Sequence, residues 1–118
     1  MKIALNLRQN DEMALGADQE KALERDVLAC KRSDWEAKAR LVHTFMPLLT
    51  SLARKRSSDI ATTNRHIEAG KEGLLIACRK YRPEIDGKFQ IFALTFIEAQ
   101  MDRVGKSRNF FARLFGGG

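Results

Sequence analysis

Apolar residues recur along this chain at intervals of three and four, the spacing that lines one face of an α-helix. The first such stretch runs from about Asp18 to Lys31. It sets Ala22, Leu23, Val27 and Cys30 on one stripe and gathers its acids early, near the positive end of the helix. The second opens at Ser33-Asp34-Trp35-Glu36, a capping-box pattern in which the Ser33 hydroxyl and Glu36 carboxylate satisfy each other's backbone donors. Leu41, Val42, Phe45, Leu48, Leu49 and Leu52 form its buried face. Pro47, inside that pattern, predicts a kink or a division into two helices, because proline lacks an N–H and clashes with the preceding turn. The basic run Arg54-Lys55-Arg56 suits the negative end of the helix dipole.

Ser57 to Thr63 read as a polar connection, and Asn64 as the N-cap of a third helix burying Ile67, Leu74, Cys78 and Tyr81. Gly70 and Gly73 lie inside it, each costing roughly 1 kcal/mol relative to alanine, so a close approach of a neighbouring helix is their useful role. Pro83 and Gly87 mark a turn, and a fourth helix spans about Lys88 to Val104 with Gly105 as its C-cap. Phe89, Ile91, Phe92, Ala93, Leu94, Phe96, Ile97 and Met101 cover more than half of its circumference. A sleeve of that width has two readings. The helix is central and buried all round, or one subset packs inward while the remaining aromatics face a partner.

These elements predict an all-α fold, a compact bundle of about four to five helices. It comprises an N-terminal segment over residues 1–17, a helical domain over 18–105 and a basic, aromatic tail over 106–118. A chain of 118 residues holds one domain, and a hydrophobic fraction of 44% with two prolines argues against a disordered chain. No run approaches the roughly 18 apolar residues that span a bilayer, and Met1 to Asn10 lack a signal-peptide pattern. The expected location is therefore the cytoplasm, with no membrane partner. The tail carries Phe110, Phe111, Leu114 and Phe115 among Arg108 and Arg113, an amphipathic pattern. Its roughly two turns are too short to anchor strongly to a membrane alone, and they suit a partner anchor or, better, packing onto the domain or starting a linker.

Charge adds a polarity. The net charge is +6, and from Arg103 onward Arg103, Lys106, Arg108 and Arg113 stand without an acid. A basic balance of this kind suits polyanions such as nucleic acid, and also occurs on ordinary solvated surfaces.

Candidate chemistry is sparse. Cys30 and Cys78 form no C-x-x-C motif and occupy apolar-compatible positions, as buried free thiols in a reducing compartment do. His43 and His66 are isolated, so no local zinc-ligand spacing exists. Gly70-Lys71-Glu72-Gly73 fails as a phosphate loop, with Arg65 where the first glycine belongs and Glu72 where Ser or Thr is required. The sequence offers no catalytic or metal-binding residue, implies no cofactor, and does not read as an enzyme.

The order of features carries a resemblance. Ser33-Asp34-x-x-Ala37, Leu41-Val42, Phe45-x-Pro47-Leu48 and Leu52-Ala53-Arg54-Lys55 are followed by Ile67-Glu68-x-Gly70-x-x-Gly73-Leu74-x-x-Ala77 and Arg79-Lys80-Tyr81. Then come Arg82 to Gly87 and Lys88-Phe89-Gln90-x-Phe92-Ala93-x-x-Phe96-Ile97. Over roughly residues 25–104 this resembles region 2 of the bacterial RNA polymerase sigma factors. The resemblance implies a helical domain with two working surfaces. The helix matching residues 64–81 would dock on the clamp coiled coil of the largest subunit of core RNA polymerase, through Arg65, His66, Glu68, Ala69, Lys71 and Glu72. The helix matching residues 88–104 would recognise and open promoter DNA, capturing bases flipped from the single-stranded non-template strand. Lys88, Phe89, Gln90, Phe92, Thr95, Phe96 and Arg103 stand at the matching positions, with Lys88 and Arg103 as phosphate contacts. Flipping a base costs a few kcal/mol of stacking, which aromatic faces can replace.

Departures from the family pattern accompany these matches. Arg65 and His66 stand where the family usually has Asp-Leu, and Glu68 and Ala69 where it has Gln-Glu. Thr95 and Phe96 replace a common aromatic pair, and Glu98 and Asp102 place acids on the helix expected to meet phosphates. These residues hold no counterpart of the family's second promoter-reading domain. Two functions follow: a transcription initiation domain, or a stand-alone sigma-like interaction module that binds polymerase or an anti-sigma-type regulator without promoter recognition.

Overall fold

The periodic stripes become four helices among the described residues, with no strand: α1 (Ala17–Lys31), α2 (Trp35–Arg56), α3 (Ile60–Lys80) and α4 (Phe89–Leu114). A computed structural model describes residues 15–114, and for residues 105–114 the helical backbone alone. The architecture is the expected all-α bundle. α1 contributes Leu23 and Val27 to the core, α2 contributes Leu41, Phe45, Leu48, Leu49 and Leu52, and α3 contributes Leu74, Ala77 and Cys78. α4 supplies Phe89, Ala93, Ile97 and Met101, a single stripe at four-residue spacing. One polar member of α1, Asp26, is also buried and accepts from Arg40 Nε of α2 at 3.0 Å.

Four boundaries differ from the sequence expectation, each for a local reason. The capping box does not form at Ser33. That residue adopts a left-handed backbone (φ 69°) and closes α1, with Ser33 N–H bonded to the Cys30 carbonyl at 2.9 Å and Asp34 N–H to that of Ala29 at 3.1 Å. This is the Schellman pattern, with serine where glycine is usual. Asp34 is then the N-cap of α2, accepting from Glu36 N–H at 3.0 Å and Ala37 N–H at 3.3 Å. Pro47 does not divide α2. Both Pro47 and His43, whose carbonyl loses its helical donor, are exposed, so water can take that place.

α3 begins at Ile60 rather than after Asn64, because Asp59 caps it by accepting from both the N–H and the hydroxyl of Thr62 at 2.8 Å. Thr62 and Thr63, read as loop, are thereby helical, and Thr63 anchors the turn by donating to the Ser57 carbonyl at 3.1 Å. Gly105 does not cap α4, which runs through it to Leu114. The tail from Phe115 and the segment before Leu15 lie outside the described residues, as do the side chains of Phe110, Phe111 and Leu114.

The glycines of α3 do what their position predicts. A Cβ on Gly73 would meet the backbone of α4, with Ile97 Cα and the Phe96 carbonyl carbon both at 2.8 Å. A Cβ on Gly70 would meet side-chain ends, Met101 Cε at 2.7 Å and Leu49 Cδ2 at 2.8 Å. α3 and α4 therefore lie backbone to backbone at Gly73, and the core stripe of α4 lies along that seam.

Candidate functional site

The turn between α3 and α4 sets the geometry of the site. Asp86 accepts from Arg82 N–H at 2.8 Å and pairs with its guanidinium at 3.3 Å, and this bonding to Arg82 holds the Asp86 carboxyl below its ordinary value. Gly87 has φ 76°, a conformation that favours glycine, and its carbonyl accepts from the Tyr81 hydroxyl. Burial, followed by the charges of Glu24 and Asp86, pushes the Tyr81 phenol up. Tyr81 is thus fixed at both ends, since its own carbonyl accepts from the Lys31 ammonium.

Around Tyr81 the aromatic rings form a continuous ladder from core to surface. Phe45 meets Phe89 edge-on at 5.9 Å and Phe89 meets Tyr81 edge-on at 5.1 Å. Tyr81 lies 5.5 Å from Phe92, and Phe92 lies 5.0 Å from Phe96. Such pairs each contribute about 0.5–1.5 kcal/mol beyond burial. The outer two rings are half-buried and the inner ones buried.

This divides the DNA-facing residues expected from the sequence. Lys88, Thr95 and Arg103 are exposed, and Phe92 and Phe96 present part of their rings. Phe89 and Gln90 are 3% and 1% exposed, so they pack the domain rather than meet solvent. Of the sleeve on α4, only Ile91 among the large apolar residues is exposed outright. The sleeve is one core stripe, a half-buried aromatic border and an outer row of Ile91, Thr95, Ala99 and Arg103.

The residues expected to meet polymerase divide likewise. Arg65, Glu68 and Glu72 are exposed on α3, and Ala69 and Lys71 are half-buried, with Lys71 paired to Glu68 at 2.7 Å. His66 is buried and not on that face. Its Nδ1 lies 2.9 Å from the Thr62 carbonyl, which can only accept, so Nδ1 carries the proton.

Two residues that sequence reasoning missed govern the charge of the site. Arg56, at the end of α2, reaches Asp102 with one guanidinium nitrogen and Glu98 with the other at 3.7 Å. Both acids of α4 therefore share one cation, which lessens the repulsion they exert on a polyanion. Glu20 of α1 pairs with Lys88 at 3.2 Å, so a proposed phosphate contact already has an acidic neighbour. The basic end of α2 was visible in sequence as a dipole complement, whereas its partners on α4 were not.

Cys78 is buried, donates to the Val27 carbonyl at 3.2 Å, and has its pKa pushed up to about 12 by burial and by neighbouring Cys30. Among the described residues no group of three or more His, Cys, Asp or Glu is placed to hold a metal ion, and no helix is long and apolar enough to cross a membrane. No protein-family model, curated protein or solved structure matches the chain.

Proposed function

We propose that this chain is a sigma-factor-like transcription initiation domain that binds core RNA polymerase through α3 and recognises and opens promoter DNA through α4. One observation carries the reading. The two motif-bearing helices pack backbone to backbone at Gly73. That seating turns Arg65, Glu68 and Glu72 outward on α3, and brings half-open Phe92 and Phe96 beside exposed Thr95 on α4. Half-open aromatic rings at a surface suit stacking with unpaired bases, worth about 1–3 kcal/mol per base. Exposed Arg103 and ion-paired Lys88 supply charge for the nucleic-acid backbone.

The test is a fluorescence assay with fork-junction DNA and core polymerase. The reading requires that adding this protein raises DNA binding over core enzyme alone, and that Phe92→Ala and Phe96→Ala abolish the gain. No gain over core enzyme refutes it.

A second reading is favoured by Glu98 and Asp102, which keep an anionic pair on α4 even with Arg56 between them. Under it the chain engages polymerase or a regulatory protein without reading a promoter. Polymerase binding by the purified proteins with no DNA gain would select it.

A further inference from the structure

Trp35 is 73% exposed, the largest apolar side chain so placed among the described residues. It stands at the first position of α2, where the ends of α1 and α2 meet the outer face of α3. Beside it lies a groove of about 280 Å³, lined by Cys30, Lys31, Lys38, Leu75 and Arg79 together with the Ser33–Asp34 turn. The apolar wall is the indole, half-buried Leu75 and half-buried Cys30. The rim is cationic. Lys38 and Arg79 are exposed and make no ion pair among the described residues, while Lys31 donates to the Tyr81 carbonyl. The single carboxylate lining the groove, Asp34, accepts through Oδ1 from the N–H groups of Glu36 and Ala37, and its one charge is outnumbered by Lys31, Lys38 and Arg79.

A groove with one apolar wall and an excess of cations on its rim selects its occupant by charge. We propose that this groove docks an acidic amphipathic helix of a protein partner, with one apolar side chain entering between Trp35 and Leu75 and flanking Asp or Glu side chains meeting Lys38 and Arg79. Tryptophan and arginine are the side chains that most often anchor such contacts, and a helix laid in a groove supplies apolar anchors at three- and four-residue spacing with polar flanks. A stacked base would also use an indole and cations. The aliphatic Leu75 wall and the concave shape, however, fit an inserted side chain better than a flat ring. The inference uses none of the residues assigned to polymerase or promoter, so it stands or falls separately from that reading.

Trp35 is the only tryptophan, so its emission reports the groove directly. The probes are helical peptides of about sixteen residues, long enough to populate a helix on binding. One set carries Leu and Phe anchors flanked by Glu, a second has every Glu replaced by Lys, and a third has the anchors replaced by Ala. A single-stranded oligothymidylate is the fourth probe. The glutamate set shifts the emission to shorter wavelength and saturates, and the lysine and alanine sets do not. Lys38→Glu with Arg79→Glu weakens the glutamate set at least about tenfold while circular dichroism stays unchanged. Trp35→Ala, followed by anisotropy of labelled peptide, gives a comparable loss. Absence of a saturable shift with every glutamate peptide overturns the proposal, as does equal binding by the lysine set or indifference to the double charge reversal. Tighter binding of oligothymidylate than of peptide, abolished by that reversal, also overturns it and assigns the groove to nucleic acid.

Discussion

Replacing Gly73 by alanine tests the seam on which the two proposed working surfaces depend. In isolation the change favours the helix by about 1 kcal/mol. Against this, the new Cβ falls 2.8 Å from Ile97 Cα and 2.8 Å from the Phe96 carbonyl carbon, and nearer still to the Phe96 carbonyl oxygen. Carbon atoms in contact sit about 3.5–4.0 Å apart, so α4 must retreat by roughly 1 Å. These are backbone atoms, which no rotamer change can move aside. Retreat also loosens Ala93, Ile97 and Met101, which are fully buried. Overpacking of this kind costs about 3 kcal/mol, which leaves a net loss of about 2 kcal/mol. For a domain of this size that lowers the thermal midpoint by roughly 8–16 °C. The assay is urea and thermal unfolding followed by far-UV circular dichroism. Gly70→Ala is the internal control, because its Cβ meets the flexible ends of Met101 and Leu49 and the propensity gain offsets much of the clash. Its net change is expected within about 1 kcal/mol. A Gly73→Ala midpoint at or above that of the parent, or a smaller loss than for Gly70→Ala, refutes the reasoning.

Ser33→Gly relieves a left-handed serine and raises stability by about 1 kcal/mol, whereas Asp34→Ala removes the α2 cap and lowers it by about 1 kcal/mol; urea midpoints separate the two signs. Cys78 holds its proton in the fold up to about 12 while the unfolded thiol ionises near its ordinary value. The unfolded state therefore loses its proton first, and stability is full below pH about 9 and declines as pH rises toward 12. Cys30 is half-buried and Cys78 buried, so iodoacetamide labels Cys30 in the native protein and reaches Cys78 only on unfolding, as peptide mapping would show. Arg56→Ala leaves Glu98 and Asp102 one turn apart without their shared cation. The loss is about 0.5–1 kcal/mol at low salt and shrinks toward zero near 0.5 M salt, and a loss independent of salt would contradict it.

Helix number and most of the core were legible because apolar spacing is a property of each helix by itself. Leu41, Phe45, Leu48 and Leu49 needed no knowledge of their partners. The ends were less legible, since a cap is a competition between neighbouring polar residues. Ser33 and Asp34 both bear capping oxygens, and the closure of α1 decided which one opened α2. Asp59 displaced Asn64 in the same way. The role of Gly70 and Gly73 was readable, because two glycines inside a helix demand a tertiary reason. Within the site, the sleeve on α4 could not be divided from sequence. Phe89 and Phe96 are equally apolar, and only the packing of the neighbouring segments sends one inward, against Phe45 of α2 and Tyr81, and leaves the other at the border. The partners of Arg56 lie more than forty positions away on another helix, beyond what any local pattern encodes.

The shortness of the connections bears on how the chain reaches this arrangement. Residues 32–34 and 57–59 join the first three helices, and only the turn over 81–88 is longer. Each helix packs chiefly on its neighbour in sequence, so little loop-closure entropy opposes the first contacts. Folds built from local contacts of this sort form in microseconds to milliseconds. The richest of these neighbouring contacts lie between α3 and α4, whose turn is pinned by Asp86 and whose seam is keyed at Gly73, so this pair gains the most native contact for the one loop it closes.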